Sequence, residues 1–358
     1  MDPFSLALSG FAEPAVFATL VLSVVVGLII GAIPGLSVNI AVALAVPLTI
    51  FMPTDQALVL LIGLYGSGIF GGSVSAILLN APGTPASAAT IFDGFPMAQQ
   101  GLATKALRVS LIASLFGAAF SVALLVLVAP ELANFALSFG PVEIASLLLF
   151  TFFVIGILSG ASLAKGLLSA AVGMVLATVG SDPMLGTPRF TFGQTSLMDG
   201  FTYVPLLVGL FALAEILDEA TRGFRQPARK FSLDGEDRAR NRITGGDLNL
   251  IAFPVVRASA IGSAIGILPG IGATIASFLA YGDAKRAARD QSQFGKGDLR
   301  GVAASESANN AVVGATFIPT LALGIPGDAV TAILLGALVL QGVTPEPLIF
   351  ITNPQVVY

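Results

Sequence analysis

The sequence predicts an all-α polytopic membrane protein, and three observations support this fold class. Only 11% of the 358 residues are charged and 55% are hydrophobic, whereas about 25% of a soluble domain is charged. Apolar runs recur from end to end and approach the ~20 residues that a helix needs to cross a bilayer. Runs such as 17–33 and 111–128 are apolar on all sides, which excludes the alternating pattern of a barrel strand.

Composition also excludes several classes of function. The chain has no Cys and no His, so it lacks a thiolate nucleophile, a disulfide framework and the commonest metal ligand. Its net charge of −4 argues against nucleic acid, because nucleic-acid binding depends on clustered cations. We therefore expect the chain to lie in a lipid bilayer and to bind no nucleic acid. The N-terminus lacks the positive region of a signal peptide, so residues 17–33 are predicted to remain as a helix.

The positions of Lys and Arg predict the orientation of the chain. The first is Lys105, seven of the 17 lie between residues 222 and 242, and five lie between residues 285 and 300. The positive-inside bias places both cationic loops in the cytoplasm, which makes the N-terminus periplasmic. The membrane spans expected between Lys105 and Arg222 lie at about 107–128, 141–160, 162–180 and 204–221.

Two motifs that break helices return in the second half of the chain. They are Gly27, Gly31, Pro34 and Gly35, repeated 235 positions later as Gly262, Gly266, Pro269 and Gly270, and Pro82-Gly83, repeated 244 positions later as Pro326-Gly327. Proline removes a backbone donor and glycine frees φ, so a Pro-Gly pair interrupts a helix at membrane depth. Helix packing explains the spaced glycines equally well, and a kink is the alternative interpretation of Pro-Gly.

The orientation of the two copies predicts inverted structural repeats with discontinuous or re-entrant helices. The first copy starts outside, and the second starts inside because cationic loops flank it. Such repeats are typical of secondary transporters, whose substrate site lies between the halves near the middle of the membrane. We predict a first repeat with broken helices, four connecting transmembrane helices, a cytoplasmic polar loop and a C-terminally incomplete second repeat, at residues 1–104, 105–221, 222–253 and 254–358.

The most polar break is predicted to bind a substrate anion. Residues 80–90 read Asn-Ala-Pro-Gly-Thr-Pro-Ala-Ser-Ala-Ala-Thr. A helix N-terminus presents free N–H groups and a partial positive charge, so it can hold a carboxylate where the spans offer almost no Lys or Arg. An interrupted helix with packing hydroxyls is the alternative. The predicted substrate-binding residues are Asn80, Pro82, Gly83, Thr84, Pro85, Ser87 and Thr90, with Gly327 and Thr331 in the symmetry-related break and Ser37, Asn39 and Thr274 in the other breaks.

Three further residues are candidates for binding a coupling ion. This ion is Na⁺ or H⁺, and no other cofactor, catalytic residue or structural metal is expected. Asp328 follows a Pro-Gly pair in an apolar segment, where an ionisable group is by default functional, and an N-cap explains it equally well. Asn309 and Asn310 offer amide oxygens, and at most one is expected to serve because they point to different helix faces. Asp93 and Glu306 remain as further acids.

Several strings resemble the large membrane subunit of tripartite tricarboxylate transporters, the TctA family. They are Pro-Gly-Thr-Pro-Ala-Ser-Ala-Ala-Thr at 82–90, Asp-Gly-Phe-Pro-Met-Ala at 93–98 and the second-half strings at 266–275, 308–311 and 324–332. The resemblance implies a bacterial inner-membrane system in which this subunit works with a small membrane subunit and a periplasmic substrate-binding protein. It also implies import of citrate-like or other small organic anions by symport with a cation. The chain is shorter than the family's usual large subunit.

A channel and an intramembrane enzyme are the alternatives to a transporter. A channel needs a continuous polar pore, and rings of charge are not evident in the sequence. An intramembrane aspartyl protease needs two carboxylates at membrane depth, and residues 295–298 match its Gly-x-Gly-Asp string only within a polar loop. We therefore expect a transporter and no enzyme activity. A homo-oligomer is compatible with the sequence.

Overall fold

The protein is a bundle of helices packed around one central helix. The computed structural model describes residues 10–158, 162–182, 186–222 and 238–354. Regular β structure in these ranges is a two-residue ladder of Gly180–Ser181 with Pro188–Arg189, so the predicted all-α class is confirmed. The helices are α1 (Pro14–Ala32), α2 (Val38–Thr49), α3 (Thr54–Leu79), α4 (Ala88–Gln99), α5 (Ala103–Ala136), α6 (Pro141–Leu158), α7 (Leu163–Ala177), α8 (Tyr203–Leu207), α9 (Ala214–Arg222), α10 (Gly245–Gly266), α11 (Gly272–Ala287), α12 (Leu299–Ala315), α13 (Phe317–Leu323), α14 (Ala329–Leu340) and α15 (Ile349–Thr352).

Four helices in the described ranges are long and apolar enough to cross a membrane. They are α1, α3, α5 and α10, with mean hydropathies of 2.6, 1.8, 2.6 and 1.5. Helix α10 begins inside the range 222–253 that was predicted as a polar loop, because Thr244 and Asp247 form a capping box at its start. Residues 223–237 of that loop lie outside the described residues. A π segment, Val208–Leu213, joins α8 to α9.

Helix α5 shows how the bundle meets its surroundings. Most of its buried positions are small residues, among them Ala113, Gly117 and Ser121, while Leu115 and Leu127 are 69% and 72% exposed. In a membrane the lipid tails are as apolar as leucine, so helices associate through the close packing of small residues. The large apolar side chains of α5 therefore face lipid, and its small residues face the other helices.

Helix α12 is the centre of the bundle. Residues 301–312 are all buried, and the helix packs against α3, α4, α5, α10 and α11. Its neighbours approach closely because glycines face its backbone: a Cβ added at Gly117 or at Gly262 would overlap the carbonyl oxygen of Ser307 or of Ala308. A polar side chain on α12 is thus held inside the protein and away from lipid.

The repeated glycines pack at corresponding places in the two halves. The contacts are Gly27 with Leu64 and Gly31 with Gly68 in the first half, and Gly262 with Ala308 and Gly266 with Val312 in the second. The contacted residues of α3 and α12 are again 244 positions apart. The spaced glycines therefore serve helix packing, which was one of the two interpretations of this motif.

Every Pro-Gly pair of the repeat lies in a break between helical segments. The breaks are 33–37, 80–84, 267–271 and 324–328. A left-handed residue lies in each of them: Gly35, Asn80, Gly270 and Gly324, with φ of 91°, 56°, 79° and 67°. The two breaks of each half also touch. Gly83 packs against Gly31 at the end of α1, and the N–H of Gly270 donates to the carbonyl of Gly327 at 2.8 Å.

Candidate substrate and coupling site

The break at 80–84 turns the chain from α3 into α4. Asn80 ends α3 in the left-handed conformation, and Pro85 opens a 3₁₀ turn, Pro85–Ser87, where its missing N–H costs nothing. Gly83 cannot be a larger residue, because a Cβ there would overlap the carbonyl oxygen of Gly31 and lie 2.8 Å from the Cα of Gly72. The break is thus fixed against α1 and the middle of α3.

A chain of hydroxyl groups runs from this break into the protein. The Thr84 Oγ1 and Ser87 Oγ atoms are 2.9 Å apart, and Ser87 Oγ is 3.4 Å from Ser73 Oγ on α3. Ser73 in turn donates to Glu306 Oε2 at 2.6 Å. All of these side chains are buried, and Thr84, the most exposed, is 5% exposed. The break is therefore connected by hydrogen bonds to an acid on the central helix.

Glu306 is fully buried and receives hydrogen bonds from three other helices. Besides Ser73 of α3, Thr90 of α4 donates to Oε1, and Ser114 of α5 donates to Oε2 at 3.3 Å. Thr90 lies in the first turn of α4, so the carboxyl is next to the partly positive N-terminus of that helix. We call Thr84, Ser87, Ser73, Thr90, Ser114 and Glu306 the hydroxyl cluster.

The two asparagines of α12 have different surroundings. Asn310 donates to Ser114 Oγ at 2.8 Å and to the backbone carbonyl of Glu306 at 3.0 Å. Asn309 is fully buried, and neither its Nδ2 nor its Oδ1 has a partner. An unsatisfied buried polar group costs about 1–3 kcal/mol. Asn309 lies one turn after Ser305, which contacts Thr90 at 3.0 Å, so its amide is available to a ligand beside the hydroxyl cluster.

The second-half break is closed by its own side chains. Asp328 Oδ1 accepts the N–H of Thr331 at 2.8 Å, and Thr331 Oγ1 accepts the N–H of Asp328 at 2.9 Å, which completes a capping box on α14. The other oxygen, Oδ2, accepts the hydroxyl of Tyr65 on α3 at 2.5 Å. Gly327 packs against Thr316. The carboxylate of Asp328 thus caps a helix and links the two halves.

The remaining candidates lie in the other two breaks. Ser37 caps α2 by accepting the N–H of Ile40 at 3.3 Å. Asn39 donates to Glu215 Oε2 of α9 at 3.3 Å, and Thr274 lies half-buried in the first turn of α11. The structure therefore brings Thr84, Ser87 and Thr90 together, and it gives Asn39 and Asp328 partners outside the hydroxyl cluster.

The sequence analysis did not predict Ser73 and Ser114 as site residues, and it named Glu306 only as one of the remaining acids. The one available signal was an ionisable residue in a helix of small residues, since such a residue inside a membrane protein is functional by default.

The Gly-x-Gly-Asp string of 295–298 has a structural role. Its backbone N–H groups at Gly295, Gly297 and Asp298 all donate to Asp93 Oδ1, at 2.8, 2.9 and 2.8 Å. Asp298 itself pairs with Arg300 at 2.6 Å. The string is thus a loop that binds the carboxylate of α4.

Broken helices around a buried polar cluster are typical of membrane transport proteins. Residues 17–358 match the model of the tripartite tricarboxylate transporter TctA family. The chain belongs to this family. This is a family of transporters and not of enzymes. The predicted family is confirmed.

Two relatives come from Agrobacterium vitis. An uncharacterized 52.8 kDa protein in the TAR-I ttuC' 3' region is 40% identical over 308 residues, which cover 83% of this chain and 58% of that protein. An uncharacterized protein in the TAR-II ttuC' 3' region is 46% identical over 93 residues, covering 26% of this chain and 38% of the relative. The matched part thus spans less than two thirds of either relative. No solved structure matches the chain significantly.

Proposed function

We propose that this protein is the translocation subunit of a cation-coupled secondary transporter that imports small organic anions of the tricarboxylate or dicarboxylate type. Membership of the TctA family supports transport. The observation that carries the proposal is the hydroxyl cluster, which places buried donors at a helix break in the centre of the bundle. Such donors can bind an anion where no cationic side chain of the described residues contributes.

The start of α4 supports anion binding at this break. Neither the 3₁₀ turn nor α4 has a side-chain cap, and the N–H groups of Ser87 and Ala88 bond to the carbonyls of Thr84 and Pro85. The donors offered to one carboxylate are therefore the hydroxyls of Thr84, Ser87 and Thr90. The unpaired amide of Asn309 adds a donor on the central helix. Contributions of Asn80, Gly327, Thr331, Ser37, Asn39 and Thr274 stay predictions.

We infer that the two halves are inverted repeats that move against each other around this site. The order of helices and breaks in α1–α4 recurs in α10–α14, and the glycine contacts recur at the same spacing. Inverted repeats in secondary transporters expose a central site to each side in turn. The cationic connections that flank α10 and α11 favour opposite orientations of the two copies.

The rest of the system follows from the tripartite family. We propose that the chain lies in a bacterial inner membrane with a periplasmic N-terminus. Its partners are a small membrane subunit and a periplasmic binding protein that delivers the anion. Selection among citrate and related carboxylates rests largely with that binding protein.

Substitution of the cluster hydroxyls tests the proposal. In membrane vesicles with both partner subunits, Thr84→Val and Ser87→Ala are expected to lower saturable counterflow of labelled citrate or malate about 10- to 100-fold, because hydrogen bonds to a charged group contribute ~1.5–3 kcal/mol. Thr19→Val is the matched control, since its hydroxyl bonds only to the carbonyl of Ala15 in its own helix. Full activity of both cluster variants would refute the site, and linear, non-saturable flux would favour a channel.

A further inference from the structure

We propose that Glu306 binds the coupling proton and that an anion enters the adjoining break only when this carboxyl is neutral. This inference rests on the proposed transport of organic anions through the break at 80–84. It assigns the coupling role to an acid on the central helix in place of Asp328, whose carboxylate already caps α14 and bonds to Tyr65.

The surroundings of Glu306 disfavour a permanent negative charge. The side chain is 0% exposed, and its partners among the described residues are the neutral hydroxyls of Ser73, Thr90 and Ser114. A buried carboxylate without a cationic partner is strongly disfavoured relative to its neutral form. The protonation state of Glu306 therefore depends on the groups that lie beside its carboxyl.

The helices packed on α12, and α12 itself, carry other charged and titratable groups. They are Asp55 and Tyr65 on α3, Asp93 on α4, Lys105, Arg108 and Glu131 on α5, Asp247 and Arg257 on α10, Tyr281, Asp283, Lys285 and Arg286 on α11, and Arg300 on α12 itself. Lys105 pairs with Asp247, Arg257 with Asp283 and Arg300 with Asp298. In the described part of the chain, none of these groups hydrogen-bonds to Glu306.

The hydroxyl partners suit a group that changes its protonation state. A hydroxyl donates to a carboxylate and accepts from a carboxylic acid, so the same side chains satisfy both forms of Glu306. A Lys or Arg partner lacks this property because it can only donate. Proton uptake and release therefore require rotation of hydroxyl hydrogens and no separation of an ion pair.

The hydrogen-bonded chain connects this proton to the anion. An anion held by Thr84 and Ser87 is one hydroxyl, Ser73, away from Glu306. Two negative charges at this separation repel strongly inside a protein. Ionised Glu306, which is hydrogen-bonded to Thr90 in the first turn of α4, also competes with the anion for the partly positive N-terminus of this helix. Protonation removes the repulsion and releases the hydroxyls to the substrate, so each transported anion carries a proton with it.

Glu306→Gln tests the proposal, because glutamine resembles the neutral acid and cannot release a proton. The transporter with both partner subunits is placed in vesicles with labelled citrate or malate. We expect the variant to lose accumulation driven by an imposed pH gradient, while its counterflow becomes independent of pH. Accumulation that still follows the pH gradient in the variant would overturn the proposal, as would wild-type accumulation that follows a Na⁺ gradient alone.

If Glu306→Gln loses all activity, a second pair of variants tests the role of Glu306. Ser114→Ala removes a donor that favours ionised Glu306, so the pH midpoint of uptake is expected to shift upward. Ser121→Ala is the matched control on the same helix, because its hydroxyl bonds to the carbonyl of Ala118, and its midpoint is expected not to shift. Equal midpoints in both variants would overturn the proposal. Absence of saturable counterflow in the wild type would instead overturn the proposed function.

Discussion

The breaks at 80–84 and 324–328 share a backbone course and differ at the start of the following helix. The helix before each break ends in a left-handed residue, Asn80 or Gly324, and the Pro-Gly pair follows at the same distance. In the second break a complete capping box occupies the start of α14. In the first break the 3₁₀ turn and α4 have no side-chain cap, and the nearby hydroxyls are bonded to one another and to Glu306.

This difference shows how one repeated backbone serves two purposes. A capped helix start is closed to ligands because its free N–H groups are satisfied internally. At the first break no side chain caps the helix start, and in our proposal the buried hydroxyls are the donors for a bound anion. Substitutions in the second break should therefore reduce stability, and substitutions of the first-break hydroxyls should reduce transport.

The largest effect on stability is expected from Gly83→Ala. A Cβ added at Gly83 would lie 2.0 Å from the carbonyl oxygen of Gly31, whereas a Cβ added at Gly327 would lie 2.7 Å from the nearest atom of Thr316. Overpacking costs about 1–3 kcal/mol and more where backbone must move. The apparent melting temperature in detergent should fall further for Gly83→Ala than for Gly327→Ala. Gly66→Ala, with open space around it, should leave the melting temperature unchanged, and equal melting of all three would contradict the close approach.

Asp328→Ala is expected to have an intermediate effect. Loss of an N-cap costs ~0.5–2 kcal/mol, and the Tyr65 hydroxyl loses its acceptor at the same time. Thermal unfolding should therefore shift to lower temperature, with saturable counterflow retained in the folded fraction. If counterflow disappears while the melting temperature stays at the wild-type value, Asp328 acts in transport and the two breaks are alike.

The smallest effect is expected from Tyr65→Phe. This variant removes the link between α3 and α14 and leaves the capping box intact. A typical hydrogen bond contributes about 0.5–1.5 kcal/mol, so the loss of stability should be smaller than that of Asp328→Ala. A larger shift in melting temperature than for Asp328→Ala would show that the contact between the halves, and not the cap, stabilises this break.

Local patterns in the sequence predicted the breaks but not the contacts between helices. Pro-Gly pairs and hydroxyls along 80–90 identify an interrupted polar segment because their effects on the backbone are local. Glu306 and Ser73 are 233 residues apart, and which helix faces meet depends on tertiary packing that periodicity does not specify. For the same reason the sequence did not predict the contact of Asp328 with Tyr65, which lies 263 residues away.

The carboxylate of Asp93 joins an internal helix to a surface connection. Asp93 lies about one turn after Thr90 on α4 and is held by three amides of residues 295–298. We therefore expect a displacement of α4, when its first turn gains or loses a solute, to move this connection as well. A spectroscopic label on the exposed Gln293 would follow site occupancy from outside the bilayer without altering the interior.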